Sequence, residues 1–170
     1  VRHGAKAANY VSMIGPLFDG DRVAGALLCD QITGREFRVE TQHIVYACGP
    51  WTDRIPEAPG GGNLMRPTKG VHIVLPHHLL PVDAAVVLNA PTDGRVVFVV
   101  PEADTIYVGT IDTDYDGDPS DVRATADDVS YLLNTLSAYF PQVEITPEHI
   151  LGTWAGVRPL IASEADSPYA

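Results

Sequence analysis

An α+β fold, a mostly antiparallel sheet with one long helix, is what this sequence predicts, and three observations carry the prediction. Short apolar segments recur around the turn dipeptides Asp19-Gly20, Thr33-Gly34 and Asp93-Gly94, the pattern of hairpin-linked strands. A single segment, Val129 to Phe140, places its apolar residues at helical spacing. The chain's 170 residues, 45% of them hydrophobic, suffice for one core and part of another without disulfide or metal staples.

The elements follow in order. Ala8 to Ile14 is a short apolar run, and Asp19-Gly20 turns the chain into Arg22 to Cys29. Thr33-Gly34 leads into Glu36-Phe37-Arg38-Val39-Glu40, whose alternation suits a half-buried strand and completes a β-meander. His43 to Gly49 is apolar on successive residues, which predicts a strand buried on both faces. Pro56 to Pro67, with its run Gly60-Gly61-Gly62, reads as a loop or domain linker. Val71 to Leu75, Ala84 to Leu88, Arg95 to Val100 and Ile106 to Ile111 are strands, the second and third forming a hairpin across Thr92-Asp93-Gly94. Val129, Leu132, Leu133, Leu136 and Phe140 share one helix face, with Thr125 as cap, Asp127 and Asp128 in the first turn, and Pro141 as the stop. Thr146-Pro147-Glu148 opens a short turn before the apolar segment Ile150 to Leu160.

Composition excludes several functions. A net charge of −11 opposes binding to phosphate backbones and anionic headgroups, so nucleic-acid partners are not expected. No apolar run approaches the roughly 20 residues of a membrane-spanning helix. Cys29 and Cys48 lie in different apolar segments with no Cys-x-x-Cys spacing and read as two small core residues of a reducing, cytoplasmic compartment. The termini, without an initiator Met or a natural stop signal, read as cut from a longer protein.

Most candidate motifs have a simpler reading. Asp112-Thr113-Asp114-Tyr115-Asp116-Gly117-Asp118 imitates a calcium loop, but Arg123 stands where a bidentate Glu is needed, so a solvated acidic turn is the better account. Gly60-Gly61-Gly62-Asn63 lacks the Lys-Ser or Lys-Thr of a phosphate loop. His77 and His78 point to opposite sides of an extended chain, which disfavours a shared metal. Lys69 and His72 open an apolar strand, and residues three apart lie on opposite faces, so only one of them can enter a given cleft. Arg158 interrupts the apolar run Ala155 to Leu160. A guanidinium in such a run needs an anion, either a carboxylate of the chain or a phosphate or carboxylate ligand, and the residues alone leave both open.

Ala47-Cys48-Gly49-Pro50-Trp51-Thr52-Asp53, Thr68-Lys69-Gly70-Val71-His72-Ile73-Val74, Asp93-Gly94-Arg95-Val96-Val97-Phe98, Gly109 to Pro119, and Gly156-Val157-Arg158-Pro159-Leu160 follow one another along nearly the whole chain. In that order they resemble segments of the FAD-dependent glycerol-3-phosphate dehydrogenase family. The resemblance implies residues 1–50 as the end of an FAD-binding domain and residues 51–170 as a substrate domain. It implies oxidation of sn-glycerol 3-phosphate to dihydroxyacetone phosphate by hydride transfer to FAD, with quinone as acceptor, and it leaves open a homodimer and peripheral attachment to the inner membrane face. By the same resemblance, His72 is the candidate base, Arg158 and Lys69 bind substrate, and Cys48, Gly49, Trp51 and Met13 contact FAD. The family's Gly-x-Gly-x-x-Gly loop is absent, so the chain alone is expected to hold FAD poorly and to be inactive. The rivals are a related amine or amino-acid oxidase and a cofactor-free binding module.

Overall fold

A computed structural model describes residues 3–55 and 64–162; the proposed linker residues 56–63 and the extreme termini lie outside the described residues. The chain divides into two compact units, Val1–Leu64 and Met65–Ala170.

The first unit is a three-stranded antiparallel meander, β1 (Val11–Asp19), β2 (Arg22–Asp30) and β3 (Glu36–Glu40), in that spatial order. Gly20, at φ 59, takes the left-handed turn between β1 and β2, a conformation that costs a residue with a Cβ. Asp30 organises the next turn by accepting from the backbone N–H groups of Ile32 and Thr33 and from the Thr33 hydroxyl, which hydrogen bonds hold its carboxyl below the ordinary range.

The strand expected over His43 to Gly49 does not form. The stretch is irregular, Val45 is 87% exposed, and Cys48, expected in the core, is exposed and leads into a 3-10 helix, Gly49–Arg54. A strand buried on both faces needs a neighbour on each edge to satisfy its N–H and C=O groups. Here β1, β2 and β3 pair among themselves, and no described strand pairs with this segment. An apolar run states that a strand can be buried; it does not supply the partner.

The second unit is a five-stranded antiparallel sheet in the order β5-β6-β7-β4-β8. Its strands are β4 (Met65–Pro76), β5 (Val86–Asn89), β6 (Val96–Glu102), β7 (Thr105–Asp114) and β8 (Gly152–Ile161). One face is covered by α1 (Ala126–Tyr139), which starts where the sequence predicts: Thr125 accepts from Asp128 N–H while the Asp128 carboxylate accepts from Thr125 N–H, a reciprocal capping box. Leu132, Leu133 and Leu136 of α1 pack with Val71, Ile73 and Leu75 of β4, Val97 and Val99 of β6, and Ile106 and Val108 of β7. The alternation along each strand sends the other set of side chains to the opposite face, and these include Phe98 and Trp154, 44% and 47% exposed.

His77, just past β4, shows how the unit closes one end. Its Nδ1 lies 2.8 Å from the Ala103 carbonyl and its Nε2 2.9 Å from the Val82 carbonyl. Carbonyls only accept, so both ring nitrogens must donate, which requires the charged imidazolium; the Val82 bond, then the Ala103 bond, raise its pKa above the ordinary 6.5. Because the folded value is the higher one, the stabilisation is complete below the unfolded value and is lost as pH rises through the folded value. Thermal midpoints of wild type and His77→Asn are therefore expected to differ most in mild acid and to converge toward alkaline pH. A difference that is constant with pH would mean a neutral ring.

Candidate active site

The face of the second sheet turned away from α1 gathers the chemistry. β4 lies between β7 and β8, with His72 opposite Gly109 on one side and opposite Trp154 on the other. Phe98 of β6 also pairs with Gly109, so one row across four strands reads Phe98, Gly109, His72, Trp154. Two glycines in this face are steric requirements. A Cβ on Gly109 would sit 2.5 Å from His72 Cδ2, and a Cβ on Gly70 would sit 2.7 Å from Arg158 Nη1. The imidazole and the guanidinium each lie directly over a glycine.

Trp154 Nε1–H donates to His72 Nδ1 at 2.8 Å, and the two rings meet at 5.1 Å between centroids with a 46° tilt. Tyr107 braces the indole from β7, again at 5.1 Å. Together with Phe98, Val100 and Gly109 these residues line a cavity of about 310 Å³. Burial, and then the positive charge of Arg158, push the His72 pKa below 6.5, so the ring is neutral at neutral pH.

Arg158 donates from Nη1 to the Asp112 carboxylate and from Nη2 to Thr110 Oγ1 at 3.1 Å. A register shift produces this arrangement: Val71 lies opposite Ile111 but His72 opposite Gly109, leaving Thr110 as the extra residue of a bulge. The structure thus answers the question of Arg158's anion with Asp112, a residue of the chain. The guanidinium side chain remains 39% exposed, and its fork has further N–H groups to offer a ligand anion. Two further acidic residues of the loop have structural work: Asp114 receives Arg66 at 2.9 Å on both oxygens, and Asp118 caps Ser120.

Lys69 falls on the other side of the sheet. Its Nζ lies 2.5 Å from Asp128 of α1, with both side chains largely buried. The structure therefore brings His72 and Arg158 to one face and Lys69 to the helix-covered face. Met13, Cys48, Gly49 and Trp51 belong to the first unit: Met13 is half-buried on β1, and the other three begin the 3-10 helix. Gly49 adopts φ +56 with nothing within 4 Å of where a Cβ would be, and Trp51 is 42% exposed. An open glycine backbone beside an exposed indole fits the close approach of a flat, largely apolar ring system such as a flavin. Sequence reasoning missed Trp154 as a site residue; its only local signal is the alternation that puts Trp154 and Arg158 on one face of the same strand.

Set beside known proteins, this helix-backed antiparallel sheet, with its histidine and partly exposed arginine on one face, falls within an oxidoreductase fold. Over residues 1–169 the chain matches the family described as FAD dependent oxidoreductase, and it belongs to that family. It is 39% identical to an alpha-glycerophosphate oxidase of Streptococcus pneumoniae over 98% of this chain and 28% of that protein. It is 36% identical to the aerobic glycerol-3-phosphate dehydrogenase of Bacillus subtilis over 99% of this chain and 30% of that protein. The chain thus spans about 30% of the length of the curated relatives it matches. Among solved structures it resembles the glycerol-3-phosphate dehydrogenase of Bacillus halodurans complexed with FAD, at TM-score 0.79 and 31% identity, covering 91% of this chain and 32% of that one. The glycine oxidase of Bacillus cereus, at TM-score 0.61 and 14% identity over 89% of this chain and 37% of that one, shares the fold.

Proposed function

We propose that this chain is the substrate-side portion of a flavoenzyme that oxidises sn-glycerol 3-phosphate to dihydroxyacetone phosphate. The observation that carries the proposal is the shared face of His72 and Arg158, beside a cavity and within a chain 36–39% identical to glycerol-3-phosphate dehydrogenases and oxidases. Oxidation at C2 removes a hydride from carbon and a proton from the hydroxyl. FAD, when bound, supplies the hydride acceptor. In this reading Arg158 binds the phosphate with the N–H groups not committed to Asp112 and Thr110, an incoming dianion competing with Asp112 for the fork. His72 stands at the reacting hydroxyl, and the aromatic rings of Phe98, Tyr107 and Trp154 limit water around it.

Met13, Cys48, Gly49 and Trp51 are the contacts we assign to FAD, with residues 1–50 joining its domain and residues 51–170 the substrate domain. Lys69 supports the substrate face from behind through α1. Quinone is the acceptor we favour, with the enzyme at the inner face of the cell membrane and a homodimer as its assembly. Among the described residues no helix is long and apolar enough to cross a membrane, so attachment would be peripheral or would come from other segments.

The test is an anaerobic visible spectrum of the whole flavoprotein before and after addition of sn-glycerol 3-phosphate. Bleaching of the flavin band, followed by faster recovery with a quinone than with oxygen, is the expected result. A flavin that bleaches with an amine or amino acid instead would replace this reading by the oxidase rival, and a protein without flavin would leave the binding-module reading.

A further inference from the structure

We infer that Trp154 is a positioning residue that fixes the tautomer of His72: the indole N–H occupies Nδ1, so the neutral ring carries its proton on Nε2 and faces the ligand as a hydrogen-bond donor. The inference rests on the proposed active-site face but concerns this chain's own side chains, so it stands or falls apart from the identity of the substrate.

An indole N–H can only donate, so at 2.8 Å the nitrogen facing it must be the unprotonated one. A neutral imidazole has one proton on its two nitrogens, and with Nδ1 accepting, that proton resides on Nε2. Sterics hold the ring in this pose from two edges. Trp154 closes the Nδ1 edge, and the absence of a Cβ on Gly109 lets the Cδ2 edge settle onto β7. Tyr107, whose ring meets the indole at a 37° tilt, keeps Trp154 from swinging away. What remains is the Nε2 end of the ring, which has no hydrogen-bond partner among the described residues, in a residue that lines the cavity.

The charged and titratable groups around His72 act in the same direction or are already neutralised. Arg158 of β8 disfavours a second positive charge beside it, Asp112 of β7 is engaged by Arg158, and Tyr107 of β7 is turned to the indole. Lys69 and Asp128 pair on the other side of the sheet. A ring so held stabilises negative charge on a ligand oxygen by donating to it. It becomes a proton acceptor at Nδ1 only when the indole bond is given up. This refines the part expected of His72: the residue that touches the reacting oxygen does so first as a donor, and Trp154 sets that order.

The test is a long-range proton–nitrogen correlation spectrum of the full chain labelled with 15N-histidine, the His72 signals being identified by their loss in His72→Asn. At neutral pH the expected pattern is a pyridine-type Nδ1 and a pyrrole-type Nε2 coupled to both ring C–H protons. In Trp154→Phe, which keeps a ring but removes the N–H, the two tautomers are expected to mix and the titration midpoint of His72 to rise. An Nδ1–H tautomer or an imidazolium in the wild type would overturn the inference, as would a Trp154→Phe spectrum with unchanged tautomer and midpoint. If that variant does not fold, the Trp154 indole proton of the wild type decides: a shifted, exchange-protected signal that collapses in His72→Asn supports the hydrogen bond, and one indifferent to His72 overturns it. None of these readouts needs flavin or substrate, so failure of the proposed function leaves them unaffected.

Discussion

Lys69→Met is expected to lower the unfolding free energy by about 3–5 kcal/mol, the usual cost of removing one member of a buried ion pair. The two side chains are 12% and 7% exposed, and the substitution leaves the Asp128 carboxylate under α1 without its cation. Burial pushes that carboxyl's pKa up, but the hydrogen bond from Lys69 and those from Thr125 outweigh burial and hold it below the ordinary range. The folded value being the lower one, this stabilisation is present above the unfolded value and disappears as pH falls through the folded value. Methionine keeps most of the volume, so the loss reports charge rather than a cavity. The second change Asp128→Asn, which keeps a side-chain oxygen to accept from Thr125, is expected to recover part of the loss. Urea midpoints of the single and double variants check this. A loss below about 1 kcal/mol would place the pair among solvated surface pairs.

Arg158→Lys is expected to reduce kcat/KM for sn-glycerol 3-phosphate by about 100-fold in the whole flavoprotein, while turnover of unphosphorylated glycerol changes little. Lysine keeps the charge but loses the planar fork, and a lost hydrogen bond to a charged group costs about 1.5–3 kcal/mol. One such bond at the upper end, or two at the lower, accounts for 100-fold. The contrast between the two substrates isolates the phosphate, because a general disturbance of the sheet would lower both alike. Equal losses on both would assign Arg158 a structural role, satisfied by Asp112 and Thr110. That outcome is the alternative the residues themselves left open for an arginine in an apolar strand.

Local rules in the chain determined much of this molecule. The turn dipeptides, the span of β3, the hairpin of β5 and β6 and the Thr125 cap of α1 all sit where their residues predict, because each depends on neighbours a few positions away; the half-burial expected of β3 does not follow, since Val39 is exposed. The strand period alone put Lys69 and His72 on opposite faces. The family, too, was legible, since its segments lie in one order along the chain.

Tertiary structure decided the rest, and in each case a partner distant in sequence was the reason. His43 to Gly49 has the composition of a buried strand, yet among the described residues it pairs with no strand and stays irregular. Which face of β4 received α1 was not written in β4, and that choice sent Lys69 to Asp128 and His72 to the cavity. The carboxylate that pairs with Arg158 was one of 22 acids until the bulge at Thr110 turned Asp112 toward it. Trp154 became a neighbour of His72 through the pairing of β4 with β8, across 82 positions of sequence. Periodicity orients a side chain to one side of its own strand; only the register between strands decides what it meets there.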